Sequence, residues 1–460
     1  MTTIVRISAV IDAAPLSRFQ KRVIAVCLLL GLAEGINALS IGYAIPSLSV
    51  QYGVDPAVFA VIFVAALVGE ILGEFFLAPL GDRVGRRTMI RIGIAVFALA
   101  AIPSALATSV EALAAFRFFA GLGIGAAVPS VYALAGDYTP ARAKGRVISI
   151  LTMSISAGGV LIGLVASSFI PAFGGSWFLL LGGALPLVIL LATWRTLPES
   201  VENLAERSRT GEVHNLMGRI DPTRRELAGI QYTSEEPHQG ARLVSLFRNG
   251  RAWPTIVLWL MSFFGVFNAY FVFSFLATIL IIAGTQDSTA LLTTSMATFG
   301  GMAGAVALGF TMDRTRLGAA AGSIGSAIAI LALLGLAGAD ATTNPAWVLG
   351  LGFALGIGAI GTNSCCMVIS TQLYPSTIRA TGFGWYSGVG RLGGLVAPVL
   401  VGALMGAHVA PAQLMQIVII PNIIVGALLI VFALRWGTLL HGSAPVLDST
   451  DPALTPLNLP

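Results

Sequence analysis

Apolar residues fill twelve stretches of the chain, each long enough to cross about 30 Å of hydrocarbon as a helix. They run approximately over 23–46, 57–80, 90–108, 112–135, 147–170, 176–195, 253–283, 289–311, 318–338, 346–370, 381–406 and 413–436. A segment surrounded by lipid has to satisfy its own backbone, so each stretch predicts a membrane-spanning α-helix. The one long polar interval, 196–252, falls between the sixth and seventh spans, and a tail containing Pro, Ser and Asp follows the twelfth. The pattern predicts an all-α membrane protein of twelve transmembrane helices: a six-helix bundle over 1–195, a central loop over 196–252, a second six-helix bundle over 253–437 and a disordered tail over 438–460. The stretch from Val23 to Pro46 is too long for the apolar core of a secretion signal and reads as a retained span.

Composition agrees with the pattern. With 56% hydrophobic and 10% charged residues and a mean hydropathy of +0.88, the chain has too little charge to coat a soluble protein of 460 residues. The net charge of +5 would suit nucleic acid, but the bases form short clusters between spans with no recognition motif. Of the 26 Lys and Arg residues, 24 lie in the N-terminal segment, in alternate loops and at the C-terminal end. The opposite loops hold only Asp55, Glu111, Asp287 and Asp340. The positive-inside rule therefore places both termini, the central loop and the tail in the cytoplasm. Cys27, Cys365 and Cys366 lie inside apolar runs without disulfide or metal-ligand spacing. His214, His238, His408 and His441 lie outside the spans, so neither a metal site nor a nucleophile and base pair is expected there, and the chain is read as a non-enzyme.

The two halves repeat. Span 2 is followed by Gly81-Asp82-Arg83-Val84-Gly85-Arg86-Arg87 and span 8 by the weaker Met312-Asp313-Arg314-Thr315-Arg316-Leu317-Gly318. Span 4 is followed by Tyr138-Thr139-Pro140-Ala141-Arg142 and span 10 by Tyr374-Pro375 with Arg379. Nearly equal lengths of chain separate the members of each pair, which implies the duplication common among secondary transporters. In the first of these loops glycine permits a tight turn, while the acid and bases can pair with one another and with helix ends across the halves.

With Leu197-Pro198-Glu199-Ser200 after span 6, these features resemble the major facilitator superfamily over nearly the whole chain. The resemblance implies a cytoplasmic gate at the 81–87 loop, with gating roles for Asp82, Arg83 and Arg86, and related roles for Asp137, Arg142, Asp313, Arg314 and Arg379. Ala78 stands where the superfamily pattern has glycine. Within the superfamily the chain is similar to the aromatic acid/proton symporters. The similarity rests on Ile41-Gly42-Tyr43-Ala44-Ile45-Pro46, on Arg117-Phe118-Phe119-Ala120-Gly121-Leu122-Gly123-Ile124-Gly125, and on Tyr374-Pro375 through Arg379-Ala380-Thr381-Gly382 to Gly390-Arg391-Leu392-Gly393. That family's first span carries Asp-Gly-x-Asp, where this chain reads Glu34-Gly35-Ile36-Asn37. The first position keeps a carboxyl and the second is a neutral amide.

Charges inside spans supply the candidate chemistry, because each costs several kcal/mol in hydrocarbon unless it is paired or wet. They are Glu34, Glu70, Glu74, Arg117 and Arg391. Glu34 lies about 16 Å into span 1 and Arg391 about 15 Å into span 11, both near the midplane where transporter sites lie. An unpaired guanidinium at that depth calls for an anion, so Arg391 or Arg117 is expected to bind a substrate carboxylate, with Asn37, Tyr43 and Asn363 as further binding candidates. Glu34 is expected to carry a coupling proton, with Glu70 and Glu74 next, because a carboxyl can hold a proton in a dry site where Asn37 cannot titrate. The alternative is that these groups pair only to hold helices together. Paired glycines, Gly121 with Gly125, Gly159 with Gly163 and Gly390 with Gly394, read as sites of close helix approach. Tyr43, Phe264, Phe267, Tyr270, Phe271, Trp385 and Tyr386 are either core packing or rings that stack on an aromatic solute.

Together these readings predict a multi-pass inner-membrane secondary transporter, in the form of a monomer, that takes up an aromatic or related organic acid with protons. Its energy source is the proton gradient, with no other cofactor and no metal. A carrier of another metabolite, such as a sugar or a nicotinate-like anion, and a membrane sensor or enzyme on the same fold are the alternatives.

Overall fold

The computed structural model describes residues 3–13, 15–194, 196–207, 209–221, 230–233, 243–248, 250–314, 318–339, 344–374 and 376–436. The first half holds α1 (Ile7–Ala13), α2 (Arg18–Tyr52), α3 (Ala60–Leu72), α4 (Leu80–Val84), α5 (Arg86–Ser104), α6 (Val110–Asp137), α7 (Ala141–Phe173) and α8 (Gly175–Thr193). Two short helices follow, α9 (Val201–Glu206) and α10 (Thr210–Ile220). The second half holds α11 (Ala252–Ile282), α12 (Asp287–Arg314), α13 (Gly318–Ala337), α14 (Pro345–Leu373), α15 (Ser376–Gly406) and α16 (Pro411–Trp436). Among the described residues eleven helices are long and apolar enough to cross a membrane, and α8 supplies a shorter apolar twelfth over Gly175–Ile189.

Several helices outrun the apolar stretch that predicts them because polar caps lie further out. Ser17 and Gln20 close a capping box at the start of α2, and Gly53, at φ 65°, ends it in the left-handed region. The second span is broken: a 3₁₀ turn over Pro56–Phe59 precedes α3, and a π-helical turn over Gly73–Leu77 follows it. π-Helical turns are rare and often mark functional positions.

The halves pack alike. In the first bundle α2 lies on α7 and α8, α3 on α6, and α5 on α6 and α8; in the second, α11 lies on α15 and α16, α12 on α14, and α13 on α14 and α16. The same span numbers pair in each, so the sequence repeat is a structural one. Helices approach where glycine removes the side chain: a methyl group at Gly35 of α2 would stand 1.8 Å from the Ile155 carbonyl oxygen of α7. Between bundles, α2 meets α11, α3 meets α15 and α7 meets α12. Closely packed pairs lie towards the end opposite the termini: Phe63 packs on Phe275 with ring centroids 5.7 Å apart, and a methyl at Gly42 would stand 2.0 Å from the Phe273 carbonyl oxygen.

The first bundle is covered at the terminal end. Ile7, Val10 and Ile11 of α1, Val201 and Leu204 of α9, and Val213, Met217 and Ile220 of α10 are buried with Val23, Cys27 and Tyr138. β1 (Thr3–Arg6) and β2 (Ile230–Thr233) form a two-stranded parallel ribbon beside the helical bundles. The tail from residue 438 lies outside the described residues.

Candidate functional site

Two clusters gather the predicted residues. The first lies at the terminal end of the first bundle. Gly85 adopts φ 108°, a backbone conformation that favours glycine, and a methyl there would stand 2.5 Å from Glu199 Oε2. The Arg87 backbone N–H donates to Glu199 Oε1 at 3.0 Å. Arg86 forms an ion pair with Asp137, whose Oδ2 also accepts the Ser200 hydroxyl. The Tyr138 hydroxyl donates to the Glu199 carbonyl at 2.6 Å, and burial raises its pKa well above the ordinary value, which keeps it a donor. Arg142 donates to the Asp12 carbonyl at 2.6 Å, and Arg83 is exposed. The side chains of Asp82, Asp313, Arg314 and Arg379 lie outside the described residues. The described contacts of the predicted gate thus bind the loop after span 2, the end of α6 and the Leu-Pro-Glu-Ser segment into one unit of the first bundle.

The second cluster lies at mid-depth and joins the bundles. Arg391 of α15 donates from Nη1 to Glu70 Oε1 of α3 at 3.2 Å, and from Nη2 to Glu74 in the π-helical turn. The pairing that sequence reasoning weighs as the alternative to substrate binding is present here: two carboxylates from the other half meet the guanidinium. The three side chains are 24%, 25% and 22% exposed, so none is sealed inside its bundle. Glu34 of α2 is half-buried and within electrostatic reach of all three, as is Tyr270 of α11, whose ring lies against Gly394. Glu34 also lines a cavity inside the first bundle with Phe97, Ile124, Val131 and Tyr132. Tyr132, which sequence reasoning missed, shares a 3.1 Å hydrogen bond with Thr152; nothing in its apolar surroundings along α6 marks it.

Arg117 stands apart from that cluster. It is 3% exposed and donates to Asn37 Oδ1 at 2.9 Å, while its Nε and Nη2 have no hydrogen-bond partner among the described residues. The remaining binding candidates are packed. Tyr43 is 1% exposed and accepts a hydrogen bond from Ser295 of α12 at 3.4 Å. The amide of Asn363 rests against Gly265, with no hydrogen-bond partner for its Oδ1 among the described residues. Trp385 stacks on Trp259 at 5.7 Å and Tyr386 on Phe383 at 6.2 Å. Tyr270, among the predicted aromatic residues, is set beside the charges.

Residues 26–398 and 267–452 match the family model described as the Major Facilitator Superfamily. The 4-hydroxybenzoate transporter PcaK of Pseudomonas aeruginosa is 32% identical over 419 residues, 90% of this chain and 93% of the relative. A gallate transporter of Pseudomonas putida is 30% identical over 401 residues, 86% and 88% of the two chains. A benzoate transport protein of Acinetobacter baylyi is 25% identical over 413 residues, 88% of each. Among solved structures, a bacterial homologue of the human lysosomal transporter Spinster, inward-facing and unoccupied, superposes with a TM-score of 0.70 at 18% identity, covering 93% of this chain and 99% of that one.

Proposed function

Because the chain belongs to the Major Facilitator Superfamily, we propose that it is a proton-coupled symporter that brings an aromatic carboxylate into the cell. It is a multi-pass membrane protein and not an enzyme. The substrate class is supported by relatives whose names specify 4-hydroxybenzoate, gallate and benzoate. The observation that carries the reading is the meeting of Glu34, Glu70, Glu74 and Arg391 from both bundles beside the Tyr270 ring. A cation for a carboxylate, carboxyls for a proton and a ring face for an arene are what such cargo requires.

In this reading the coupling proton is held within the carboxyl cluster of Glu34, Glu70 and Glu74, and Arg391 and Arg117 are the cations available to the carboxylate. Asn37, Tyr43 and Asn363 are the further substrate-binding candidates, reached only if their packing opens, and the terminal-end cluster works as the gate. The termini face the cytoplasm of an inner membrane, the protein acts as a monomer, and the proton gradient is its energy source. Proteoliposomes with an alkaline interior should accumulate radiolabelled 4-hydroxybenzoate, benzoate or nicotinate against its gradient, and a protonophore should abolish the accumulation. No uptake of any of these acids would refute the substrate class; uptake indifferent to the pH gradient would refute the coupling.

A further inference from the structure

Glu70 and Glu74 belong to one bundle and Arg391 to the other, so their contact sits on the interface that shifts when one repeat rocks against its partner. Among the described residues, the charged or titratable groups facing the contact are Glu70 on α3, Glu74 in the π-helical turn, Glu34 on α2, Arg391 on α15 and the Tyr270 hydroxyl on α11, with the Tyr132 hydroxyl of α6 beyond Glu34. Arg117 of α6, the helix packed behind α3, is turned to Asn37 instead. A carboxylate in such surroundings costs several kcal/mol unless a cation or a proton neutralises it. The structure shows the cation doing so for two glutamates at once.

We propose that Arg391 exchanges partners: a substrate carboxylate displaces one of the two glutamates from its guanidinium, and the displaced glutamate takes up a proton as it leaves. The proposal rests on the symport reading above and gives it a site. With both glutamates ionised, the trio carries one net negative charge. A substrate anion arriving alone would raise this to two. Arriving with one proton on a glutamate carboxylate oxygen, it leaves the net charge unchanged, and Arg391 keeps one glutamate and one substrate partner. The proton comes from water reaching the exposed quarter of these side chains and returns there when the substrate leaves. Arg391 therefore stands in for the proton in the empty carrier, where two bare carboxylates would otherwise be left between the bundles.

Calorimetric titration of the purified full chain with 4-hydroxybenzoate, in buffers of differing ionisation enthalpy, counts protons taken up per molecule bound. The wild type should approach one, with affinity falling towards about tenfold per pH unit on the alkaline side, the limit for one linked proton. In Glu70→Gln/Glu74→Gln, whose amides imitate protonated carboxyls, uptake should fall towards zero and the affinity should be flat with pH. If the double variant does not fold, either single variant should flatten the slope. A variant that keeps the wild-type slope and proton count overturns the exchange, and so does one bound more weakly by the same factor at every pH, as a purely structural tie would give. Absence of 4-hydroxybenzoate binding at any pH refutes the substrate class instead. In that event spin labels at the exposed positions Phe75 and Leu392 still decide the exchange without substrate. Acid should change their separation in the wild type, and the double variant should show the acid-state separation throughout; a wild-type separation constant with pH overturns the proposal.

Discussion

Asn37→Asp would place a carboxylate where an amide oxygen now accepts Arg117 Nη1 at 2.9 Å. At that distance and an effective dielectric constant of about 20, the attraction between unit charges is about 6 kcal/mol. Most of it is offset by the cost of drying the new carboxylate, and hydrogen bonds to charged groups net about 1.5–3 kcal/mol. If Arg117 is a cation that substrate uses, its carboxylate must compete with the new internal partner, and that difference corresponds to about 10- to 150-fold weaker binding. The loss should be full at pH 8, where the introduced acid is ionised, and should shrink as pH falls and the acid is protonated. The apparent melting temperature should move the opposite way, rising at pH 8 because a buried guanidinium, two of whose nitrogens have no partner among the described residues, gains a counter-ion. Equilibrium binding of 4-hydroxybenzoate in lipid nanodiscs, with thermal unfolding of the same samples, reads both quantities. A raised melting temperature with unchanged affinity would mean that the ion pair forms and substrate is indifferent to it, which removes Arg117 from the binding site.

Glu34→Gln should impair uphill accumulation driven by a pH gradient while counterflow exchange persists, because Glu34 shares the carboxyl cluster; unimpaired accumulation leaves the proton to Glu70 and Glu74 alone. Asp137→Asn should lower the apparent melting temperature, because Arg86 loses its ion pair and Ser200 a charged acceptor, a cost of about 1–3 kcal/mol; an unchanged transition would show the contact to be incidental. Reporters active only outside the cell, fused at either end, should stay silent, and activity at either end would overturn the topology drawn from the base counts.

The spans were legible because lipid leaves an apolar segment one way to satisfy its backbone, and that demand is local. Pairing was not. Glu74 and Arg391 are 317 residues apart, and helical rise gives each a depth but not the direction in which it faces a distant helix. The π-helical turn that holds Glu74 was hidden for the same reason. Gly73, at its start, lies where a methyl would stand 2.4 Å from the Leu122 carbonyl oxygen of α6, so the turn occurs at a close tertiary contact. α10 was readable in principle: Val213, Met217 and Ile220 recur at helical spacing in an interval that polarity alone makes a loop.

The internal repeat explains which residues could be read as structure and which as function. Gly69 and Gly73 lie against carbonyl oxygens of α6, and Gly300 and Gly304, the same distance apart, lie against those of α14. Gly158 of α7 meets the backbone of α2 as Gly393 of α15 meets that of α11. Aligned on these contacts, Glu70 and Glu74 fall opposite Gly301 and Ala305, and Arg391 falls opposite Ser156. Duplication has therefore kept the close-packed backbone in both halves, while carboxyls remain in one copy of the second span and a guanidinium in the other copy of the fifth. Packing alone cannot account for this, since the uncharged copy packs equally closely. A charge that both halves could do without as structure, but that meets its complement only across the interface, is retained for what the interface does.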